Sequence, residues 1–237
     1  MDSRLAGVNG ARHDHTSKPV RPGGESATRR AYAYIKERLL DGRFAGGTLL
    51  SENELAQRLS LSRTPVRQAF VHLQAEGMIE LYPRRGGLVV PISPSEAEDV
   101  LEARLLMEPH CARRAATAGA RLAAELEHAI ADQQAALATG GAGFVTADRR
   151  FHRAIVAAAG NPLLTRQYDS LRDRHQRIAA ATVASDPGRI ERFIAEHSKI
   201  AAALRRGDAD AAAQLMAAHL YSAHELARRD RAPILTQ

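Results

Sequence analysis

The chain has 237 residues and a formal net charge of +6. This length is sufficient for two domains, and the composition is that of a globular protein rather than of a disordered or fibrous one. Aromatic residues make up 4% of the chain, Trp is absent and alanine is abundant, which favours closely packed helices over a sheet sandwich. Four of the six excess positive charges fall in residues 27–91, so the basic surplus is concentrated in one segment.

Several classes of protein are excluded at this stage. One cysteine, Cys111, rules out an internal disulfide, and its neighbours are typical of a buried small residue rather than of a redox sensor. No apolar run has the length of a membrane span, and residues 1–26 lack the apolar core of a signal peptide. We therefore expect a cytoplasmic protein without membrane contact, and we interpret residues 1–26 as a disordered arm.

Residues 51–77 have the pattern of two short helices joined by a tight turn. Ser51 and Glu54 have the spacing of a capping box at the start of the first helix. The second helix has Pro65 in its first turn, where proline is tolerated, and it ends at Gly77. This spacing predicts a helix-turn-helix.

The first turn of the second helix carries basic and hydroxyl side chains on its exposed side. Arg63, Thr64 and Arg67 stand there beside the positive dipole end of the helix. Such a helix end can enter the major groove of DNA, where arginine contacts phosphates or guanine edges. An arginine at a helix start is more often an ordinary solvated side chain, so the prediction depends on a second basic element nearby.

Residues 78–90 supply that second element as a predicted β-hairpin. Its turn carries Arg84, Arg85 and Gly86, which would let the backbone approach a phosphate chain or a minor groove. Because the two basic elements should converge on one surface, we predict a winged helix-turn-helix domain over residues 27–92. The alternative is that these arginines have a purely structural role, and this alternative is stronger for Arg84 and Arg85 than for Arg63 and Arg67. The predicted DNA-binding residues are Ser51, Arg63, Thr64, Arg67, Arg84, Arg85 and Gly86.

Residues 93–230 contain helix signals alone, separated by glycine and proline. Six antiparallel helices of this length form a bundle. The predicted fold is therefore mostly α, with an N-terminal winged helix-turn-helix, a C-terminal six-helix antiparallel bundle and a tail over residues 231–237. The predicted helices span about 93–119, 121–138, 144–159, 163–184, 186–206 and 208–229.

Three of these helices carry polar residues on apolar faces. Asp148 and His152 lie one turn apart on the third helix, and His197 and His219 lie on the fifth and sixth. Burial of one carboxylate and three imidazoles without partners would cost several kcal/mol, and a shared divalent metal would satisfy all four. A single such histidine is more often a hydrogen-bonded core residue. His175 lies among charged residues and is not expected at this site.

Residues 32–90 resemble the GntR family of bacterial transcription regulators. Gln68 departs from the pattern, because the family commonly has Glu there. The matching motifs are Ser51-Glu52, Leu55-Ala56, Ser62 to Arg67, Leu73, Glu76-Gly77 and Arg85-Gly86.

Residues 95–230 resemble the FadR C-terminal domain (FCD), the all-helical effector domain of one GntR subfamily. Six helices rather than seven suggest its shorter, VanR-like branch. The matching motifs are Arg104 with Glu108, Asp148 to His152, Gly160 to Leu163, Glu196-His197 and His219.

This second resemblance implies a homodimer and a metal with four ligands, namely Asp148, His152, His197 and His219. Three histidines and one carboxylate leave one or two positions open on zinc, or alternatively on nickel or manganese, where an organic acid can bind. Arg104 interrupts an apolar surface, so it is expected either to pair with that acid or to form a salt bridge with Glu108.

We therefore expect a homodimeric transcription regulator, a repressor, that binds a palindromic operator in double-stranded DNA and responds to a small carboxylate effector. A metal-dependent hydrolase is one alternative, although no further acid or base stands beside the four ligands as a proton shuttle. In a second alternative the metal is purely structural and the bundle serves only for dimerisation.

Overall fold

The computed structural model describes residues 23–229 apart from positions 140, 142 and 187, and it describes the side chains of 27–224 except at those positions and at 185. The predicted C-terminal tail and residues 1–22 of the predicted arm lie outside the described residues. The last four residues of the predicted arm, 23–26, belong to the first helix.

The N-terminal part consists of three helices and a small antiparallel sheet. Strand β3 lies between the other two, and the sheet packs on the helices around Ile35, Phe70, Leu73 and Val89, which are almost completely buried. The hairpin was expected, whereas the two-residue strand β1 was not indicated by the sequence. The elements are α1 (Gly23–Leu40), β1 (Leu49–Leu50), α2 (Glu52–Leu59), α3 (Arg63–Ala75), β2 (Ile79–Tyr82) and β3 (Gly86–Val89).

The pairing of β1 with β3 explains why position 86 is a glycine. Its φ of +115° favours glycine, and a Cβ at this position would collide with the carbonyl oxygen of Leu50. The glycine therefore permits the close approach of the strand that precedes α2, and it helps to place the wing beside the helix-turn-helix.

The C-terminal part is a helical bundle with its own core, which includes Leu126, Phe151, Ile155, Ile200 and Met216. Within the described residues it has seven α-helices and a short 3₁₀ turn. The elements are α4 (Pro94–Ala115), the turn Ala116–Ala118, α5 (Gly119–Ala138), α6 (Phe144–Ala158), α7 (Pro162–Ser170), α8 (Arg172–Ser185), α9 (Arg189–Arg205) and α10 (Ala209–Arg229).

The predicted helix over 163–184 is in fact two helices, so the expected number of six helices is wrong. The N–H group of Leu171 bonds to the carbonyl of Tyr168, three residues back, which interrupts the α-helical pattern between α7 and α8. No glycine or proline marks this break, and the sequence therefore did not reveal it. With seven helices among the described residues, the helix count no longer indicates the VanR-like branch.

Helix α8 also connects the two parts of the chain. Its Asp173 carboxylate lies 2.8 Å from the ammonium group of Lys36 on α1, which also pairs with Glu76 at 2.7 Å. One turn further on, the Arg177 guanidinium donates to the carbonyl of Val90, just after the wing. Polar contacts of α8 thus hold it against the N-terminal part. In the part of the chain described, no helix is both long and apolar enough to cross a membrane.

Candidate metal centre and nucleic-acid interface

The four predicted metal ligands lie together in the interior of the bundle. Their nearest nitrogen and oxygen atoms are all within 4.8 Å of one another, and the four side chains are at most 6% exposed. The Asp148 carboxylate lies 3.7 Å from His152 Nε2 and 3.6 Å from His197 Nε2, and His197 Nε2 lies 3.2 Å from His219 Nε2. This group could hold a metal ion.

Each imidazole is oriented by an acceptor on its far side. The Nδ1 atom of His152 lies 2.7 Å from a Glu108 oxygen, and that of His219 lies 2.7 Å from Glu196. The Nδ1 atom of His197 lies 2.9 Å from the amide oxygen of Gln133. Because these oxygens accept, each Nδ1 carries the proton, and in a neutral ring the lone pair is then on Nε2, which faces the centre.

Gln133 was missed by the analysis of the sequence. It follows Leu126 and Ile130 on the apolar face of α5 at helical spacing and is completely buried. A buried polar residue on an apolar face is the same signal that revealed the histidines. Glu108 and Glu196 appeared in the motifs that carried the family resemblance, but without this role.

The electrostatics of the centre favour the protonation states that a metal requires at Asp148, His197 and His219, whereas His152 is an exception. Burial opposes ionisation of Asp148, but the imidazoles of His152 and His197 outweigh it and hold the pKa of the carboxyl below its usual range. Burial lowers the pKa values of His197 and His219. The pKa of His152 is raised, because the carboxylates of Glu108 and Asp148 outweigh the effect of burial. A proton on His152 and a metal cation would therefore compete for the same negative charges.

Arg104 forms the salt bridge with Glu108, which is one of the two roles expected for it, whereas pairing with an acid stays a prediction. Its Nε atom donates to Glu108 at 2.5 Å, and Nη1 contacts Nε2 of His175. Nη2 is buried and has no hydrogen-bond partner among the described residues. The Arg104 side chain lines a cavity of about 60 Å³ beside Asp148 and His219. Arg104 thus forms the salt bridge and also presents a donor at the cavity.

His175 lines the cavity at the site, so the expectation that it lies away from this site is wrong. It is 7% exposed and lines the cavity, and His224 on α10 lines the same cavity. Burial lowers the pKa of His175 to about 3, with a further contribution from Arg104. The neighbours of His175 in the sequence are charged, but its ring contacts Arg104 on α4 and the ring of His152 on α6, which only the packing of the helices brings near it.

The predicted DNA-binding residues are brought together from three segments. Arg63 on α3 is exposed and its guanidinium lies 3.4 Å from the Glu52 carboxylate; Thr64 on the same turn is also exposed. The hydroxyl of Ser51 accepts from the N–H of Glu54, so this serine caps α2 as predicted. A single cleft joins α3 to the wing and is lined by Ser51, Arg63, Arg67, Arg84, Arg85 and Gly86, among others.

A winged helix-turn-helix with a basic cleft, followed by a helical bundle with a buried cluster of one aspartate and three histidines, is typical of a DNA-binding regulatory protein. Residues 27–89 match the family described as bacterial regulatory proteins, gntR family, and residues 99–222 match the FCD domain. The chain belongs to the GntR family and carries an FCD domain. It is a transcriptional regulator.

Individual relatives agree with this assignment. The chain is 31% identical over 134 residues to an HTH-type transcriptional regulator in the TAR-I ttuE-ttuC' intergenic region of Agrobacterium vitis, covering 54% of this chain and 78% of that protein. It is 29% identical to the HTH-type transcriptional repressor RspR of Escherichia coli K12, covering 84% and 88%. The solved structure of E. coli McbR/YncC has the same fold, with a TM-score of 0.70, 20% identity and coverage of 86% and 97%.

Proposed function

We propose that this regulator is a homodimeric repressor whose affinity for a palindromic operator is controlled by a small carboxylate, bound at a divalent metal in the FCD domain. The observation that carries the proposal is the centre itself, where three imidazole Nε2 atoms and one carboxylate converge. Each imidazole is fixed by an acceptor at Nδ1. A donor set of three nitrogens and one oxygen suits zinc, with nickel or manganese as alternatives.

At the DNA, we assign Arg63, Thr64 and Arg67 to the major groove. The exposed positions of all three on the first turn of α3 support this role. Arg84 and Arg85 at the tip of the wing would contact the backbone or the minor groove, with Ser51 and Gly86 lining the same cleft. Four arginines in one cleft supply the positive charge that phosphate binding needs.

A ligand-binding metal is better supported than a purely structural one. A bound divalent metal would supply an open coordination position for a carboxylate oxygen. The cavity reaches Asp148, His152 and His219, so an acid could approach the centre. The Nη2 donor of Arg104 is buried without a partner and would pair with a second anionic or polar group of the acid. A closed structural site would need neither feature.

Two helices would transmit the binding of an acid in the cavity to the DNA-binding domain. Helix α4 carries Arg104 and follows the wing directly. Helix α8 carries His175 at the cavity and Asp173 at the ion pair with Lys36 of α1. An acid can change operator affinity only if it prefers one arrangement of these elements, and a coupling of about 1 to 3 kcal/mol is typical of such switches.

The central test is the metal content of the purified full chain after incubation with zinc and removal of excess ion. We expect one zinc per chain in the wild type, none in His197→Ala, and full content in His128→Ala. The control is matched because His128 is an exposed histidine on α5, whose ring bonds to the Ala124 carbonyl. Wild-type protein that holds no zinc, nickel or manganese would refute the metal centre.

A further inference from the structure

The cavity beside the metal centre is polar near the predicted ligands and largely apolar elsewhere. Arg104, Asp148, His152, His175 and His219 provide the polar groups around the centre. Most of the remaining wall comes from aliphatic and aromatic side chains on five helices, including those of Leu101, Phe144, Ile178, Val183, Phe193 and Leu220.

Two phenylalanines stand one turn before metal ligands on their own helices. Phe144 precedes Asp148 on α6, and Phe193 precedes His197 on α9, each by four residues. Their rings stack with centroids 6.3 Å apart and planes inclined by 22°. Phe193 also meets the ring of His219 edge-on, at 5.7 Å. An aromatic wall therefore adjoins the centre where the body of a bound acid would lie.

Helix α8 extends this apolar wall away from the centre. His175, Ile178, Ala179 and Val183 occupy one face of the helix and line the cavity. The eight residue steps from His175 to Val183 correspond to about 12 Å along the helix axis. An acid held at the metal and at Arg104 would run along this face and meet aliphatic side chains beyond the first turn.

The outer wall offers few polar partners to a ligand. The hydroxyl of Thr182 donates to the carbonyl of Ile178 at 2.9 Å, so its hydrogen is already used. His224 is the other polar side chain on this wall, and it has an interaction of its own. Hydroxyl groups carried along the body of a ligand would therefore be buried mostly against carbon.

We infer that the effector is an organic acid with an apolar body, an alkyl or aryl carboxylate, rather than a polyhydroxylated sugar acid. The inference rests on the proposed function, and it specifies the chemical class that the site recognises. Each CH₂ group moved from water to this wall improves affinity about fourfold. Each hydroxyl buried there without a partner weakens binding about tenfold.

The test compares two acids that differ only in hydroxyl groups, cyclohex-1-ene-carboxylate and shikimate, by calorimetry on the zinc-loaded full chain. We expect the unsubstituted acid to bind at least tenfold more tightly. Ile178→Asn should reduce this preference, because it places an amide on the apolar wall. Leu163→Asn is the matched control, since Leu163 is 66% exposed on α7 and does not line the cavity, and it should leave the preference unchanged.

The possible results separate this inference from the proposed function. Equal or tighter binding of shikimate would leave the effector site standing and overturn the apolar class. A preference that Ile178→Asn does not alter, in a variant with native circular dichroism and full zinc content, would show that the wall does not recognise the acid. If neither acid binds the zinc-loaded protein, carboxylate recognition at the metal is wrong, and this inference fails with it.

Discussion

At the scale of single residues, side chains behind the predicted ligands decide the geometry of the centre. The Glu108, Gln133 and Glu196 acceptors leave each imidazole one tautomer with which to face a metal. Glu108 also accepts a hydrogen bond from Arg104, and it therefore connects the predicted metal centre to the cavity. One buried carboxylate thus links two parts of the proposed effector site.

A substitution at Gln133 tests how much the hydrogen bond to His197 Nδ1 contributes to metal binding. Gln133→Met removes the acceptor but keeps a flexible side chain of similar size, so His197 would lose its fixed orientation. We expect zinc affinity, measured by competition with a chelator, to fall about tenfold to a hundredfold. Gln134→Met on the exposed side of α5 is the control. Unchanged affinity in Gln133→Met would mean that packing alone orients the imidazole.

The assignment of α3 to the major groove is tested by substitution of Arg63 and Arg67. Arg63→Ala and Arg67→Ala should each weaken operator binding by about 1 to 3 kcal/mol if the guanidinium binds a guanine edge, and should relax specificity at that base pair. A gel-shift titration measures both effects. Arg150→Ala removes an equally exposed arginine, paired with Asp132 on the bundle, and should bind like the wild type. Wild-type binding by both α3 variants would refute the assignment.

At the scale of elements, the break between α7 and α8 has the largest consequence. A continuous helix over 163–184 was the natural expectation, because helix formers run through the segment without glycine or proline. Tertiary packing favours a separate α8 that buries His175 in the cavity while Asp173 meets α1. The helix that lines the cavity beside the predicted metal ligands therefore also contacts the N-terminal part of the chain.

The contact between α8 and α1 can be removed by a variant that should keep acid and zinc binding but lose the effect of the acid on operator affinity. Asp173→Asn removes the carboxylate that pairs with Lys36, and it should reduce the effect of the acid on operator affinity without changing zinc or acid binding. Operator titrations with and without cyclohex-1-ene-carboxylate measure this coupling. Asp169→Asn, which breaks an ion pair with Arg153 inside the bundle, is the control. A full response in Asp173→Asn would exclude this contact from the coupling route.

At the scale of the whole molecule, zinc should stabilise the chain in a pH-dependent way. A ligating imidazole must be neutral, so protons compete with the metal as pH falls. The raised pKa of His152 brings this competition to a higher pH than an ordinary histidine would show. The stabilisation by zinc should therefore be full above the raised pKa and should be lost as pH falls through it.

Thermal melting at pH 8 and pH 5.5, with and without zinc, measures this dependence. We expect zinc to raise the melting temperature clearly at the higher pH and little at the lower one. The His197→Ala variant should show no zinc-dependent rise at either pH. An equal rise at both values would indicate that zinc binds elsewhere, for example through carboxylates alone.

Much of the architecture could be inferred from local patterns. The capping box at Ser51, the proline in the first turn of α3 and the glycine at position 77 mark the helix-turn-helix, because each reflects a local backbone preference. The four buried polar residues Asp148, His152, His197 and His219 could be selected because helical periodicity assigns each of them to an apolar face.

Other features depended on the tertiary structure. Strand β1 is two residues long and exists through its pairing with β3, which no local pattern encodes. The break at Leu171 and the burial of His175 follow from how α7 and α8 pack on the bundle. Periodicity assigns a side chain only to a face of its own helix. Which faces meet in space is decided by the tertiary structure, and this determines the partners of Arg104, the contact of the Gln133 amide and the apolar wall of the cavity.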